Sequence, residues 1–289
     1  MKDFLRRFIK YQNERFPFLI IIFTTAAVIF SSFTVATGGF SFGKTAVVAF
    51  ITSLLFMFHI RLFDELKDFE HDLKYYPDRP VSRGLMSVSE IRNLAVCVIA
   101  IEILVNLLDP AAVLLLFFIA LCYSLIARKE FFVRKWLREH FFTYNLVHYV
   151  QMSLLLIYFY SLAGATLWPP SRLLIFHFFF TNFTLILLEW ARKMRPHSEE
   201  NESRDTYSAR LGIVGVSIAF AAIVAATFLS FYAIKITAGF AVFSMVYAWV
   251  ALALLAVTIL VYAIKKTKIS SSVLQLSSLI FFVLLHFLV

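Results

Sequence analysis

The sequence predicts an all-α, polytopic membrane protein with nine transmembrane helices and a cytoplasmic N-terminus. Three observations predict it. First, the 289-residue chain is 61% hydrophobic and only 16% charged, with 34 Phe, whereas a soluble domain is about 45–50% apolar and about 25% charged. A water-soluble globule could not hide that much apolar surface without aggregating. Second, charges vanish over stretches of about 20 residues, the length a helix needs to cross the hydrocarbon core. Third, 24 of the 27 Lys and Arg residues fall in the N-terminal segment and in every second connection, the positive-inside pattern. The net charge of +9 is therefore accounted for without a nucleic-acid partner. Cys97 and Cys122 both lie in apolar runs, which supports neither a disulfide framework nor a Cys-based metal site.

The elements follow from where the charges stop. The stretch Phe4 to Lys10 alternates basic and apolar residues at helical spacing and reads as an interfacial segment within residues 1–15. A charge-free run between Arg15 and Lys44 gives a first span near 17–37, too long for a signal-peptide core and followed by many more spans. A second runs from about 45 to 63, and a third, containing Glu102, from about 90 to 108. The fourth, about 110–127, follows Asp109-Pro110, and the uncharged run from Phe141 to Ser171 gives a fifth near 141–163. The remaining four lie near 172–190, 211–234, 238–264 and 270–289. Only Lys44, Arg172 and Lys235 are left for the outer side, so nine spans put the C-terminus outside. No linker divides the chain, which is read as a single domain over 1–289.

The acids are the informative part. After the second span comes Asp64-Glu65-Leu66-Lys67-Asp68-Phe69-Glu70-His71-Asp72. If the helix continues, Asp64, Asp68 and Asp72 share one face at i, i+4 and i+8. Like charges there repel, and at a membrane mouth each also loses solvation. A hard divalent cation such as Mg²⁺ relieves both, since it takes one or two carboxylates and completes its shell with phosphate oxygens and water. The plainer alternative is a charged turn projecting into water. Against it stands the rigid Pro77-Asp78-Arg79-Pro80-Val81-Ser82-Arg83-Gly84, whose Arg forks are natural phosphate partners. After the sixth span comes Glu189-Trp190-Ala191-Arg192-Lys193, then Glu199-Glu200-Asn201-Glu202 and Thr206, with Gly212 beyond. Short spans in corresponding positions that each lead into a charged motif point to a functional site. Other polar residues within spans stay open between function and helix packing: Glu102, His59, and the Asn145, His148 and Gln151 face of the fifth span.

These residues resemble the UbiA superfamily of intramembrane prenyltransferases, a nine-helix bundle with Asp-rich motifs after its second and sixth helices. Asp64-Glu65-x-x-Asp68-x-x-x-Asp72 matches the first motif with Asn→Asp and Asp→Glu changes, and Pro77, Arg79, Pro80 and Gly84 match the element after it. In the second motif Glu189 and Lys193 stand where the family has Asp, and Thr206 and Gly212 match its tail. Tyr123-Ser124 with Arg128-Lys129 is similar to a further family element after the fourth span.

The resemblance implies a Mg²⁺-dependent transfer of a polyprenyl group from its diphosphate to a lipophilic, membrane-associated acceptor, at a cytoplasmic-side active site. Asp64, Asp68, Asp72 and Glu189 would be catalytic, and Asp64, Glu65, Asp68 and Asp72 the metal set. Arg79, Arg83, Arg128, Lys129, Arg192 and Lys193 would bind diphosphate. Lys193 cannot ligate a metal. Either Arg192 and Lys193 substitute for a second ion, or Glu199, Glu200 and Glu202 supply carboxylates, or catalysis is altered. The alternatives in kind are a terpene cyclase of the same architecture and a non-catalytic lipid-binding or transport protein.

Overall fold

The structure, a computed structural model, describes residues 2–108, 113–239 and 242–289. Asp109 and Pro110 lie outside them. Among the described residues there is no strand; twelve α-helices carry the fold. They are α1 (Lys2–Arg15), α2 (Phe18–Thr37), α3 (Lys44–Lys67), α4 (Phe69–Tyr75), α5 (Val88–Leu107) and α6 (Leu114–Arg128). After them come α7 (Arg134–Glu139), α8 (Phe141–Leu162), α9 (Arg172–Arg192), α10 (Tyr207–Ala238), α11 (Val242–Lys265) and α12 (Lys268–Leu288).

Each of the nine predicted spans coincides with a helix, namely α2, α3, α5, α6 and α8 to α12. Six of them, α2, α3 and α9 to α12, are long and apolar enough to cross a membrane among the described residues. The other three fall short for local reasons. α5 carries Glu90, Arg92 and Glu102, α6 has only 15 residues, and α8 holds Asn145, His148 and Gln151. The protein is a multi-pass integral membrane protein.

The chain packs as two compact units. Unit 1 comprises residues 1–29 and 41–165, and unit 2 residues 30–40 and 166–289. In unit 1, α3 packs along α5, and α6 along α8. α1 lies against them through Tyr11 and Phe8, part of a buried cluster with Phe16, Phe58, Leu62 and Met86. Its outer face leaves Leu5 and Ile9 exposed, the two-faced character expected of an interfacial helix. Three ion pairs tie α1 down: Arg7 to Glu90 at 2.7 Å, Glu14 to Arg83 at 2.7 Å, and Arg15 to Glu65 at 2.6 Å. The sequence begins α5 with a capping box, in which Ser87 Oγ accepts from the Glu90 N–H and Glu90 accepts from the Ser87 N–H.

In unit 2, α9 packs along α10 and α12, and α11 along α12. Its core closes on His286, whose Nε2 lies 3.0 Å from Thr184 Oγ1 and whose Nδ1 lies 2.7 Å from Ser31 Oγ. Phe180 and Phe282 flank the ring. Thr206 caps α10 by accepting from the Ala209 N–H at 3.1 Å. Gly212, at φ 70° and ψ 168°, then breaks the helical path inside α10. That backbone region is open essentially to glycine alone.

Candidate functional site

The first acidic motif is built on the end of α3. The helix stops at Lys67, Asp68 caps it, and α4 restarts at Phe69. The run therefore bends at Asp68 instead of continuing straight. Asp68 N–H still donates to Asp64 C=O at 3.0 Å, and Asp72 N–H to Asp68 C=O at 2.8 Å.

The side chains diverge. Asp64 faces a small cavity shared with Lys67, Ser124, Arg128, His148 and Gln151, contributed by α3, α6 and α8. Lys67 Nζ sits 2.8 Å from Asp64 Oδ1 and 3.1 Å from His148 Nε2, above the Tyr144 ring at 5.4 Å. Asp68 receives Arg138 Nη2 at 3.1 Å. Burial, with Asp64 and Asp72 adding negative charge against Lys67 and Arg138, pushes the Asp68 carboxyl up to about 6. Asp72 is buried and meets Arg79 Nη1 at 2.5 Å. Burial opposes its charge, but hydrogen bonds with His71 and Arg79 outweigh it and hold the carboxyl below its ordinary value. Glu65 turns away onto Arg15 at 2.6 Å and Arg61 at 3.4 Å and is 2% exposed.

The predicted diphosphate cations of this unit are distributed. Arg128 lines the cavity and lies over the Phe63 ring at 5.0 Å. Lys129 is the exposed C-cap of α6. Arg79 pairs with Asp72 and stacks 3.8 Å over Tyr76, while Arg83 pairs with Glu14. Arg79, Tyr76, Glu14 and Arg15 border a second, open cavity of about 310 Å³.

The second motif, in unit 2, is arranged differently. Glu189 is held by Arg192 at 2.7 Å and Lys193 at 3.0 Å. Glu200 accepts from Thr206 Oγ1 at 2.5 Å and from Ser208 Oγ at 2.6 Å, so it belongs to the start of α10. Glu199 pairs with Lys268 at 3.1 Å, and Glu202 is exposed. The acids of the Glu199–Glu202 stretch are thus committed largely to local structure, and the positive charge at Glu189 comes from Arg192 and Lys193.

Among the described residues, no three Asp, Glu, His or Cys side chains converge as a metal cage. The donors closest to fitting a hard divalent cation are Asp64 and Asp68, two carboxylates one turn apart, each now paired with a basic side chain, Lys67 and Arg138, that an ion would have to displace. Glu65 and Asp72 are taken up by Arg15 and Arg79. The second motif fits a cation less well, because it offers a single carboxylate, Glu189, held by two basic side chains, with Lys193 in place of a second acid.

Three residues at the site escaped sequence reasoning. Lys67 sits inside the acidic run, where by sequence it is only one basic charge among the acids. Arg138 and Arg134 reach the C-terminal carbonyl of α3 at Lys67, at 3.4 and 3.2 Å, and Glu130 holds both Arg side chains. The i, i+3 spacing of Asp64 and Lys67 is the signal that could have found the first. Of the polar face on α8, His148 and Gln151 reach the cavity, whereas Asn145 Nδ2 donates to the Phe141 carbonyl at 2.7 Å. His59 and Glu102 are buried partners of each other, 2.7 Å apart.

Comparison with known proteins gives the family and the fold. The family model described as UbiA prenyltransferase family matches residues 21–285. A structure reported in a study of digeranylgeranylglyceryl phosphate synthase in membranes superposes with a TM-score of 0.63 at 13% identity, covering 98% of each chain. The apo structure of a UbiA homolog from Aeropyrum pernix K1 gives 0.65 at 15% identity, over 90% of this chain and 94% of that one. These identities speak to the fold. No curated protein sequence matches significantly. Acidic first motif, Pro-Arg-Pro element, helix order and family match agree: the chain belongs to the UbiA prenyltransferase family.

Proposed function

We propose that this protein is a Mg²⁺-dependent intramembrane prenyltransferase that moves a polyprenyl group from its diphosphate to a lipophilic acceptor on the cytoplasmic side. The observation that carries the proposal is the pair Asp64 and Asp68 at the mouth of α3, with Arg128 across the same cavity from Asp64. Asp64 and Asp68 would hold the ion, which when bound polarises the diphosphate as a leaving group.

The chain's own residues do the rest. Arg128 presents positive charge to the departing oxygens from the cavity wall, and Lys129 adds its charge from the exposed end of α6. Asp72 acts through Arg79, fixing its guanidinium over Tyr76, and Glu14 fixes Arg83 in the same way. Arg192 and Lys193 are proposed diphosphate ligands of the second motif, where their charge stands in for a second cation. Glu189 orients both.

The test uses purified protein and labelled geranylgeranyl diphosphate, with and without Mg²⁺. Binding is expected only with Mg²⁺, and Asp64→Ala with Asp68→Ala should weaken it at least about tenfold, the loss of roughly 1.4 kcal/mol or more. Equal binding without the ion, or by the double variant, would sink the proposal. Incubation with a membrane lipid extract separates the reaction classes: a conjugate marks a transferase and a free terpene marks a cyclase. The altered second motif favours one further reading, a non-catalytic lipid-binding protein, which predicts binding with no product of either kind.

A further inference from the structure

We infer that Lys67 is a resident counter-ion of the first acidic motif, exchanged on loading: its ammonium leaves Asp64 when a divalent cation arrives and takes an oxygen of the incoming diphosphate. The inference rests on the reading of Asp64 and Asp68 as the metal pair.

The hydrogen inventory fixes the charge state around Lys67. His148 Nδ1 lies 2.7 Å from the Tyr144 carbonyl, so Nδ1 carries the hydrogen and donates it. Nε2 is then a lone pair, and it accepts from Lys67 Nζ at 3.1 Å. His148 offers the ammonium no negative counter-charge. The anion in contact with Lys67 is Asp64, at 2.8 Å, and the Tyr144 ring face below adds its weaker attraction. The side chain is 7% exposed, so the ammonium has exchanged most of its water for these three partners.

A divalent ion bound to Asp64 would lie about 2.0–2.1 Å from a carboxylate oxygen. An ammonium at hydrogen-bond distance from the same carboxylate would be within a few ångström of that ion, with little water to screen the repulsion. Both cannot stay. The four-carbon stem of lysine lets the ammonium swing while its Cα stays fixed on α3, and the cavity it faces holds Ser124, Arg128 and Gln151. Of these, Arg128 and Gln151 carry donors suited to phosphate oxygens. A diphosphate entering beside Asp64 brings the negative charge that re-pairs Lys67. Metal and diphosphate therefore each favour the other's binding, and the coupling is reciprocal.

The experiment measures Mg²⁺ alone, then geranylgeranyl diphosphate with saturating Mg²⁺, by calorimetry on full-length protein in detergent. Lys67→Met should bind Mg²⁺ alone about tenfold more tightly than wild type, and the prenyl diphosphate about tenfold more weakly, within the usual span of coupling energies. Lys67→Arg, which keeps the charge, should stay close to wild type in both. Lys67→Gln is carried in parallel, expected to behave as Lys67→Met, in case the Met variant does not fold. Opposite shifts in the two affinities support the exchange, because a merely structural defect weakens both. Weakening of both, or an unaltered prenyl diphosphate affinity, overturns it. Equal Mg²⁺ affinity in all variants overturns the exchange and leaves the metal pair standing. Absence of Mg²⁺ binding in every variant overturns both readings.

Discussion

Glu102 shows how a buried acid in a membrane helix is made tolerable. Ser124 Oγ donates to the Leu121 carbonyl at 2.7 Å, so its oxygen accepts from His59 Nε2–H at 3.0 Å. His59 Nδ1 and Glu102 Oε2 lie 2.7 Å apart and share one hydrogen. Glu102 Oε1 has no partner among the described residues, so the His59 contact carries the polar compensation of this carboxyl. The result is a chain of hydrogen bonds from α5 through α3 to α6. It sets Ser124 in the wall of the Asp64 cavity. Glu102→Gln, whose amide can keep a hydrogen bond to His59 Nδ1, should unfold within about 1 kcal/mol of wild type. Glu102→Leu strands His59 Nδ1 and should cost about 1–3 kcal/mol. Denaturant unfolding in detergent checks both, and equal losses in the two variants would rule out the chain as assigned.

At the scale of elements, α1 is held by apolar packing through Tyr11 and Phe8 and by ion pairs, one of which is buried. Glu65 is 2% exposed and Arg15 reaches it at 2.6 Å. Removing one partner from a buried pair leaves an uncompensated charge and typically costs about 3–5 kcal/mol. Arg61, at 3.4 Å from Glu65, recovers part of that, so Arg15→Met should cost about 2–3 kcal/mol. Adding Glu65→Leu should restore most of it, a coupling that a double-mutant cycle reads directly. Additive losses would show that the pair contributes nothing specific. The pair also explains a limit of sequence reading. Periodicity places Asp64 and Asp68 a turn apart; Asp64 faces the cavity, whereas Asp68 turns to Arg138. Nothing local announces that α3 stops at Lys67, that Asp72 is turned onto Arg79, or that Glu65 meets a helix 50 residues earlier. Those outcomes depend on tertiary partners.

At the scale of the whole molecule, hydropathy and charge located nine helices to within a few residues. α9, predicted at 172–190, spans Arg172–Arg192. The exceptions are informative. α10 begins at Tyr207 instead of 211 because Thr206 caps it and Gly212 supplies the bend. The six long apolar helices establish membrane integration; sidedness comes from Lys and Arg alone and makes a separate prediction. In a Cys97→Ala, Cys122→Ala background, Ser203→Cys should react with an impermeant maleimide only after cells are opened, and Ser41→Cys in intact cells. The reverse pattern would invert the proposed topology.

One modest feature bears on the lipid around the protein. α6 has 15 residues, a length of about 22 Å at 1.5 Å per residue, against a hydrocarbon thickness of about 30 Å. A helix that short either sinks its Arg128 end below the headgroup plane or draws the bilayer in to meet it, at fractions of a kcal/mol per ångström. Arg128 lines the cavity beside Asp64, so under the proposed function the place where the helix and the bilayer must adjust to each other is also where a lipid-borne acceptor would present its head. Membrane thickness would in that sense be a reaction condition for this protein, as temperature or salt would be for a soluble one.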